Sequence, residues 1–253
     1  MHIERQGNGP DLVLLHGWAM HGGIFAPFVE ALAPRFRVHV VDLPGHGASR
    51  DEERFDLEDA VARIADRVPR AIWLGWSLGG LVALHAALDR PAQVRGLAML
   101  CATPRFVAAP DWPHAMPAET LAQFGAGLRD DYRATIDRFL ALETMGAPRA
   151  QAELRELRRH VFERGEPSMS ALCDGLSVLG TTDLRAALPT LSMPSLWIGG
   201  RRDRLVFPAA MREAAARAPR AQYLEFNAAH APFLDQPDAL AERLSAFATG
   251  LAP

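Results

Sequence analysis

The chain has 253 residues, of which 49% are hydrophobic and 23% are charged, a composition that excludes a disordered chain and suits one α/β domain with an insertion. The net charge of −3, with histidine neutral, gives no support for nucleic-acid binding. The N-terminus lacks an apolar signal core, and no apolar run approaches the roughly 20 residues of a membrane span. We therefore expect a cytoplasmic protein, monomeric and without a membrane partner.

Apolar runs and helical patterns alternate along the chain, which predicts an α/β protein with a doubly wound, mostly parallel sheet. Most of the runs are almost continuously apolar, as central strands covered on both faces are. The predicted strands lie at 12–15, 38–41, 71–74, 97–100, 195–198 and 223–226. The predicted helices lie at about 24–34, 56–68, 78–89, 207–217 and 236–248.

Residues 104–188 interrupt this alternation and predict an inserted helical cap. The segment opens with a Pro-containing stretch at 104–117, and apolar residues then recur at three- and four-residue steps from Leu121 to Leu140. Two more helical stretches follow, at 149–164 and 168–179. The sequence therefore predicts a core made of residues 1–103 and 189–253.

A candidate nucleophile lies between a predicted strand and a predicted helix, in Gly75-Trp76-Ser77-Leu78-Gly79. A Gly-x-Ser-x-Gly turn in this position holds the serine in a strained backbone conformation, and the flanking glycines avoid clashes. The serine hydroxyl is thereby presented at the carboxyl edge of the sheet, where α/β folds bind their ligands. The sequence predicts that Ser77 is the nucleophile of a hydrolase.

A serine nucleophile needs a base, and a carboxylate must orient that base. His230 follows the last predicted strand, whereas His114 and His160 fall in the predicted cap and His85 lies on the helix after Ser77. Asp203 is the only carboxylate in the loop after the strand at 195–198. The chain order serine, acid, histidine favours Asp203 and His230 as the rest of a catalytic triad.

Two backbone amides are candidates for an oxyanion hole. Trp18 follows the first strong strand, in His16-Gly17-Trp18, and Leu78 directly follows the nucleophile. We expect His16 to be a structural hydrogen-bonding residue. Cys101 and Cys173 lack metal-ligand spacing, so we expect buried, reduced thiols and neither a metal nor an organic cofactor.

Several segments resemble a known enzyme family. Leu14-Leu15-His16-Gly17-Trp18 and Asp42-Leu43-Pro44-Gly45-His46-Gly47 are typical of the α/β-hydrolase fold in general. The segments at 73–83, 138–146 and 229–233 are together similar to the pimeloyl-[acyl-carrier protein] methyl ester esterases of biotin synthesis. The resemblance runs over nearly the whole chain, cap included.

The resemblance implies a serine carboxylesterase that hydrolyses the methyl ester of a pimeloyl chain on acyl carrier protein and releases methanol. It implies the triad Ser77, Asp203 and His230, with Trp18 and Leu78 at the oxyanion. The implied substrate-binding residues are Trp18, Ser77, Leu78, Phe139, Leu140, Ala141, Leu142, Glu143 and His230. The family commonly has glutamine where Glu143 stands.

Arginines of the predicted cap are candidates for docking the carrier protein, because the family docks it there. Arg138, Arg155 and Arg159 are proposed for this role, and the last two are four residues apart on one helical face. Guanidinium groups suit the acidic helix and the phosphate of a carrier protein. The family can show arginine where Ala134 and Gln151 stand.

Other functions stay open at this stage. A general short-chain carboxylesterase and a C–C bond hydrolase share the same triad, and acyl transfer to an acceptor other than water depends on how wet the site is. A hydrolase homologue that binds ligands without catalysis is a further alternative. It fits less well, because all three triad positions are filled.

Overall fold

The computed structural model describes residues 1–52 and 54–251 of the chain. Within them, seven strands form one sheet: β1 (His2–Gln6), β2 (Asp11–Leu15), β3 (Arg37–Asp42), β4 (Ala71–Trp76), β5 (Val94–Leu100), β6 (Ser195–Gly200) and β7 (Ala221–Phe226). Their order in space is β1-β3-β2-β4-β5-β6-β7. All neighbouring pairs are parallel except β1 with β3. The predicted mostly parallel α/β sheet is confirmed.

The six predicted strands are all present, and β1 is the strand that the sequence pattern did not predict. Its residues, His2 to Gln6, are polar apart from Ile3 and lie half-buried or exposed. An edge strand has one partner and one open side, so it needs no apolar run. The strands at the centre, by contrast, are buried along almost their whole length.

Helices follow most of the strands, as predicted. The α-helices of the described residues are α1 (Ala26–Leu32), α2 (Leu57–Ala65), α3 (Leu78–Asp89), α4 (Ala118–Asp130), α5 (Tyr132–Glu143), α6 (Ala150–His160), α7 (Met169–Thr181), α8 (Pro208–Arg217), α9 (Pro232–Asp235) and α10 (Pro237–Thr249). Short 3₁₀ turns lie at 22–25, 47–49 and 185–190. None of the helices in this part of the chain has the length and apolar character to cross a bilayer.

Helices α4 to α7 lie between β5 and β6 in the chain, and together they are called the cap helices below. The helical pattern from Leu121 to Leu140 is divided between α4 and α5 at Asp131. The Asp131 carboxylate accepts a hydrogen bond from the Ala134 amide at 3.0 Å and thereby caps α5. The side-chain periodicity continues through the break, which is why the pattern gave no sign of it.

The expectation for the cysteines is half wrong. Cys101 is buried at the end of β5, but Cys173 is exposed. Cys173 lies on α7 and lines an open groove between α7 and α4, together with Leu121 and Leu176. The apolar neighbours of Cys173 in the sequence therefore face the core, while its own side of the helix faces solvent.

Hydrogen bonds and an ion pair tie the cap helices to the carboxyl edge of the sheet. These contacts join side chains or amides of core loops to α5, α6 and α7: Trp18 Nε1 to the Leu172 carbonyl at 2.9 Å, Arg54 to Asp174 at 2.7 Å, His21 Nε2 to the His160 carbonyl at 2.7 Å, and the His230 amide to the Glu143 carbonyl at 3.1 Å. The cap helices thus cover the edge where Ser77 is presented.

Candidate active site

Ser77 forms the turn between β4 and α3. Its backbone φ of 54° and ψ of −118° lie in a region that residues other than glycine rarely adopt. Backbone strain of this kind is typical of a nucleophile elbow. A Cβ on Gly75 would lie 2.0 Å from the Gly79 carbonyl oxygen, and one on Gly79 would lie 2.3 Å from the Leu15 carbonyl oxygen. Glycine is therefore required on both sides of Ser77.

Asp203 and His230 are brought together from two different loops. The Oδ2 atom of Asp203 accepts a hydrogen bond from His230 Nδ1 at 2.7 Å, and both side chains are buried. Its other oxygen, Oδ1, accepts hydrogen bonds from the amides of Leu205 at 2.8 Å and Val206 at 2.9 Å. These contacts fix the carboxylate in the orientation that the imidazole needs.

The hydrogen bond to Asp203 sets the tautomer of His230. A carboxylate accepts, so Nδ1 carries the proton and Nε2 presents its lone pair. Among the described residues, Nε2 has no hydrogen-bond partner and is buried. Burial of the ring lowers its pKa, but the charge and hydrogen bond of Asp203 oppose burial, and the pKa of His230 is raised. The ring is thus prepared to receive a proton at Nε2.

Trp76, which directly precedes Ser77, links the elbow to the histidine loop. Its indole Nε1 donates to the His230 carbonyl at 2.7 Å, and the two rings lie 5.6 Å apart between centroids. Ser77 is only 3% exposed and His230 is fully buried. Trp76 therefore brings the histidine loop to the elbow, and the candidate nucleophile and base are both buried.

Both candidate oxyanion donors belong to backbone near Ser77, and Leu78 directly follows it in the chain. A Cβ on Gly17 would lie 3.3 Å from the Ser77 Cβ, so the loop that carries Trp18 runs close to the nucleophile. In residues 1–52 and 54–251, neither the Trp18 amide nor the Leu78 amide donates to a backbone carbonyl. Both N–H groups are therefore available to an oxyanion.

His16 has the structural role that the sequence favoured. Its Nε2 accepts a hydrogen bond from the Leu43 amide at 2.9 Å, and its Nδ1 donates to the Gly17 carbonyl at 2.8 Å. Burial, reinforced by the neighbouring His46 ring, lowers the pKa of His16 to about 3. A ring that stays neutral and uses both nitrogens holds the oxyanion loop and is not a second base.

The candidate substrate-binding segment at 139–143 lies in the last turns of α5. The Phe139 ring contacts the Trp18 indole edge-on, with centroids 4.8 Å apart, and both are buried. Leu140 is also buried, whereas Ala141 and Leu142 are half-buried. The structure thus brings Phe139 to the oxyanion loop. It brings Glu143, through its carbonyl, to His230.

Cys101 is a residue of the site that the sequence reasoning did not use. It follows β5 at the same edge of the sheet, with a φ of 44°, and its Sγ lies within 4.8 Å of ligand atoms of Asp203 and His230. Burial and the Asp203 charge raise the pKa of the thiol well above its usual range. Because a metal needs the thiolate, this set of three residues does not fit a metal site.

The three candidate docking arginines are exposed on the cap helices but differ in their partners. Arg138 donates to the Thr135 hydroxyl at 2.9 Å, and no carboxylate of the described residues pairs with Arg138 or Arg155. Arg159, by contrast, lies 2.6 Å from Glu156 and 3.7 Å from Glu163. Arg138 and Arg155 are therefore the less neutralised of the three.

Comparison with known proteins places the sequence among hydrolases. Residues 12–243 match the alpha/beta hydrolase family. The chain is 58% identical to the pimeloyl-[acyl-carrier protein] methyl ester esterase of Xanthomonas campestris pv. campestris (strain B100), over 99% of this chain and 100% of that protein. It is 56% identical to the protein of the same name from Stenotrophomonas maltophilia (strain R551-3), over 100% of this chain and 98% of that one.

Solved structures with the same fold are more distant in sequence. The enol-lactonase from Burkholderia xenovorans LB400 superposes with a TM-score of 0.84 at 22% identity, over 98% of this chain and 96% of that one. An esterase from Exiguobacterium antarcticum has a TM-score of 0.85 at 20% identity, over 98% and 95% of the two chains. At these identities, the likeness shows the fold alone.

Proposed function

The chain belongs to the α/β-hydrolase family and, within it, to the pimeloyl-[acyl-carrier protein] methyl ester esterases, and we propose that it hydrolyses the methyl ester of a carrier-bound pimeloyl chain. The observation that carries a hydrolytic function is the buried pair of Asp203 and His230 next to the strained turn of Ser77. The names of the curated relatives supply the substrate. The products are methanol and a carrier-bound acyl chain with a free carboxylate.

Acylation begins when His230 Nε2 takes the proton of the Ser77 hydroxyl. The Ser77 Oγ attacks the ester carbonyl, and the amides of Trp18 and Leu78 donate hydrogen bonds to the resulting oxyanion. One such donor typically contributes about 3–4 kcal/mol to the barrier reduction. The imidazolium, stabilised by Asp203, then protonates the methoxide as the C–O bond breaks, and methanol leaves the acyl-enzyme.

Deacylation repeats these steps with water as the nucleophile. His230 removes a proton from the water, the hydroxide adds to the acyl carbonyl, and the same two amides hold the oxyanion. The bond to Ser77 Oγ then breaks, and the proton returns from His230 to Ser77. The cycle needs only the groups of this chain and one water per ester, and the enzyme is regenerated.

We propose that the acyl carrier protein docks transiently on the cap helices, and that residues 104–188 act as one cap. Arg138, Arg155 and Arg159 are the proposed contacts, and the first two contribute most because no carboxylate of the described residues neutralises them. An acidic partner could form charge-assisted hydrogen bonds with the guanidinium groups of Arg138 and Arg155. The apolar substrate chain would then pass Phe139 on its way to Ser77.

Product analysis tests the substrate directly. The purified protein is incubated with the pimeloyl-carrier methyl ester, and mass spectrometry follows the conversion of the carrier-bound methyl ester to the free acid. Wild-type enzyme should yield the free acid, and Ser77→Ala should not. Hydrolysis of p-nitrophenyl esters with no turnover of the carrier-bound ester would instead support a general carboxylesterase.

Charge reversals test the docking site. Arg138→Glu and Arg155→Glu should each raise KM for the carrier-bound ester about tenfold while leaving hydrolysis of p-nitrophenyl butyrate unchanged. Arg159→Glu should have a smaller effect. Arg243→Glu, on the exposed side of α10 outside the cap, is the matched control. Equal effects of all four variants would contradict docking on the cap.

A further inference from the structure

The carboxyl group of Glu143, at the end of α5, is buried without a hydrogen-bond partner. The residue is 1% exposed, and neither Oε1 nor Oε2 has a partner among the described residues. Nearly all buried polar groups in folded proteins are hydrogen-bonded, so an unpaired carboxyl beside a catalytic histidine indicates a group that is completed by a ligand. The main chain of Glu143 is already used, because its carbonyl accepts from the His230 amide.

The groups around Glu143 disfavour its ionised form. Burial raises its pKa most, the neighbouring His230 lowers it, and Asp203 raises it again, which places the pKa of Glu143 at about 8. Cys101, a further titratable neighbour, has a thiol whose own pKa is raised. Arg202 is exposed and donates to the Gly146 carbonyl at 3.1 Å. At neutral pH the carboxyl therefore keeps its proton.

We propose that Glu143 acts as an uncharged carboxylic acid and donates a hydrogen bond to an oxygen of the ester bound beside His230. The inference rests on the proposed ester hydrolysis, and it gives the side chain of Glu143, a candidate substrate-binding residue, a protonation state and a hydrogen-bonding role. Ester oxygens only accept hydrogen bonds, so a protonated carboxyl complements them and a carboxylate does not. Ionised Glu143 would also add a second negative charge, after that of Asp203, beside His230.

The pH dependence of kcat/KM for p-nitrophenyl butyrate tests the proposal. If only the protonated form works, wild-type kcat/KM falls about 30-fold between the optimum and pH 9.5, as expected for a pKa of about 8. Glu143→Gln keeps a hydrogen-bond donor that does not ionise, so its kcat/KM should stay constant from the optimum to pH 9.5. Glu143→Leu lacks a donor, and its kcat/KM should be about tenfold below that of Glu143→Gln at every pH. Ser77→Ala supplies the blank for spontaneous hydrolysis.

Glu153 provides a matched control. This second buried carboxyl of the cap helices lies on α6, and burial together with Asp235 raises its pKa to about 7, against the opposing effect of Arg149. No contact joins it to the described triad residues, so Glu153→Gln should keep the wild-type alkaline decline. Circular dichroism at each pH shows whether the variants stay folded.

Three results would overturn the role of Glu143. They are a wild-type profile without an alkaline decline, a Glu143→Gln profile that keeps it, and equal activity of the Gln and Leu variants. The substrate is a simple ester and needs no carrier protein. The outcome is therefore independent of whether the pimeloyl-carrier ester is turned over, and failure of the one proposal can be told from failure of the other.

Discussion

Replacement of Glu143 by glutamine should stabilise the protein at neutral pH. The pKa of this carboxyl rises from the usual 4.5 to about 8 on folding, so between these values the folded chain holds a proton that the unfolded chain releases. The free energy of unfolding therefore falls as pH rises from about 4.5 to about 8. From pH 4.5 to pH 7 the pH rises by about 2.5 units, and the free energy of unfolding falls by about 3 kcal/mol over this range.

Glutamine has nearly the same shape and does not ionise, so Glu143→Gln should escape this loss. Urea denaturation followed by circular dichroism should show the variant more stable by about 3 kcal/mol at pH 7 and equal to wild type near pH 4.5. The wild-type curve should fall with pH, and the difference between the two proteins should grow with it. A variant that is less stable than wild type at pH 7, or that keeps the same pH dependence, would refute the reasoning.

Three further changes probe the geometry of the site. In Asp203→Asn the side-chain amide would present an N–H donor to His230 Nδ1 and favour the tautomer with its proton on Nε2. The kcat should therefore fall by about 10⁴-fold while the circular dichroism spectrum stays unchanged. Gly79→Ala would place a Cβ 2.3 Å from the Leu15 carbonyl oxygen, and urea denaturation should show a loss of at least about 3 kcal/mol. Trp76→Phe removes the 2.7 Å hydrogen bond to the His230 carbonyl and should lower the free energy of unfolding by about 1–3 kcal/mol. In each case, a value like that of wild type would contradict the assigned contact.

The sheet was predictable because its central strands are buried on both faces. Burial on both faces demands an apolar residue at nearly every position, so β2 to β6 are visible as apolar runs. The edge strand β1 has no such demand, and only pairing with β3 makes it a strand. The division of the cap pattern at Asp131 was equally hidden, because a capping aspartate is compatible with an exposed helical position.

The candidate catalytic residues could be predicted because chemistry and chain order restrict them. A serine between glycines at a strand–helix junction, an acid after the sixth strand and a histidine after the seventh are local features of the sequence. Side-chain environments are not local. Two examples depend on how the helices pack. Among the described residues, Arg159 is paired with two glutamates whereas Arg138 is paired with none, and Cys173 is exposed whereas Cys101 is buried.

The elbow follows from local sequence, since only glycine at 75 and 79 allows the backbone to turn sharply at Ser77. The loops that carry Asp203 and His230 follow from it as well, because parallel strands end at one edge of the sheet. The electrostatics of that edge, by contrast, depend on how the folded chain packs. A glutamate at position 143 would ionise readily in water; its burial beside Asp203 and His230, under helices that the sequence places between β5 and β6, is what keeps its proton.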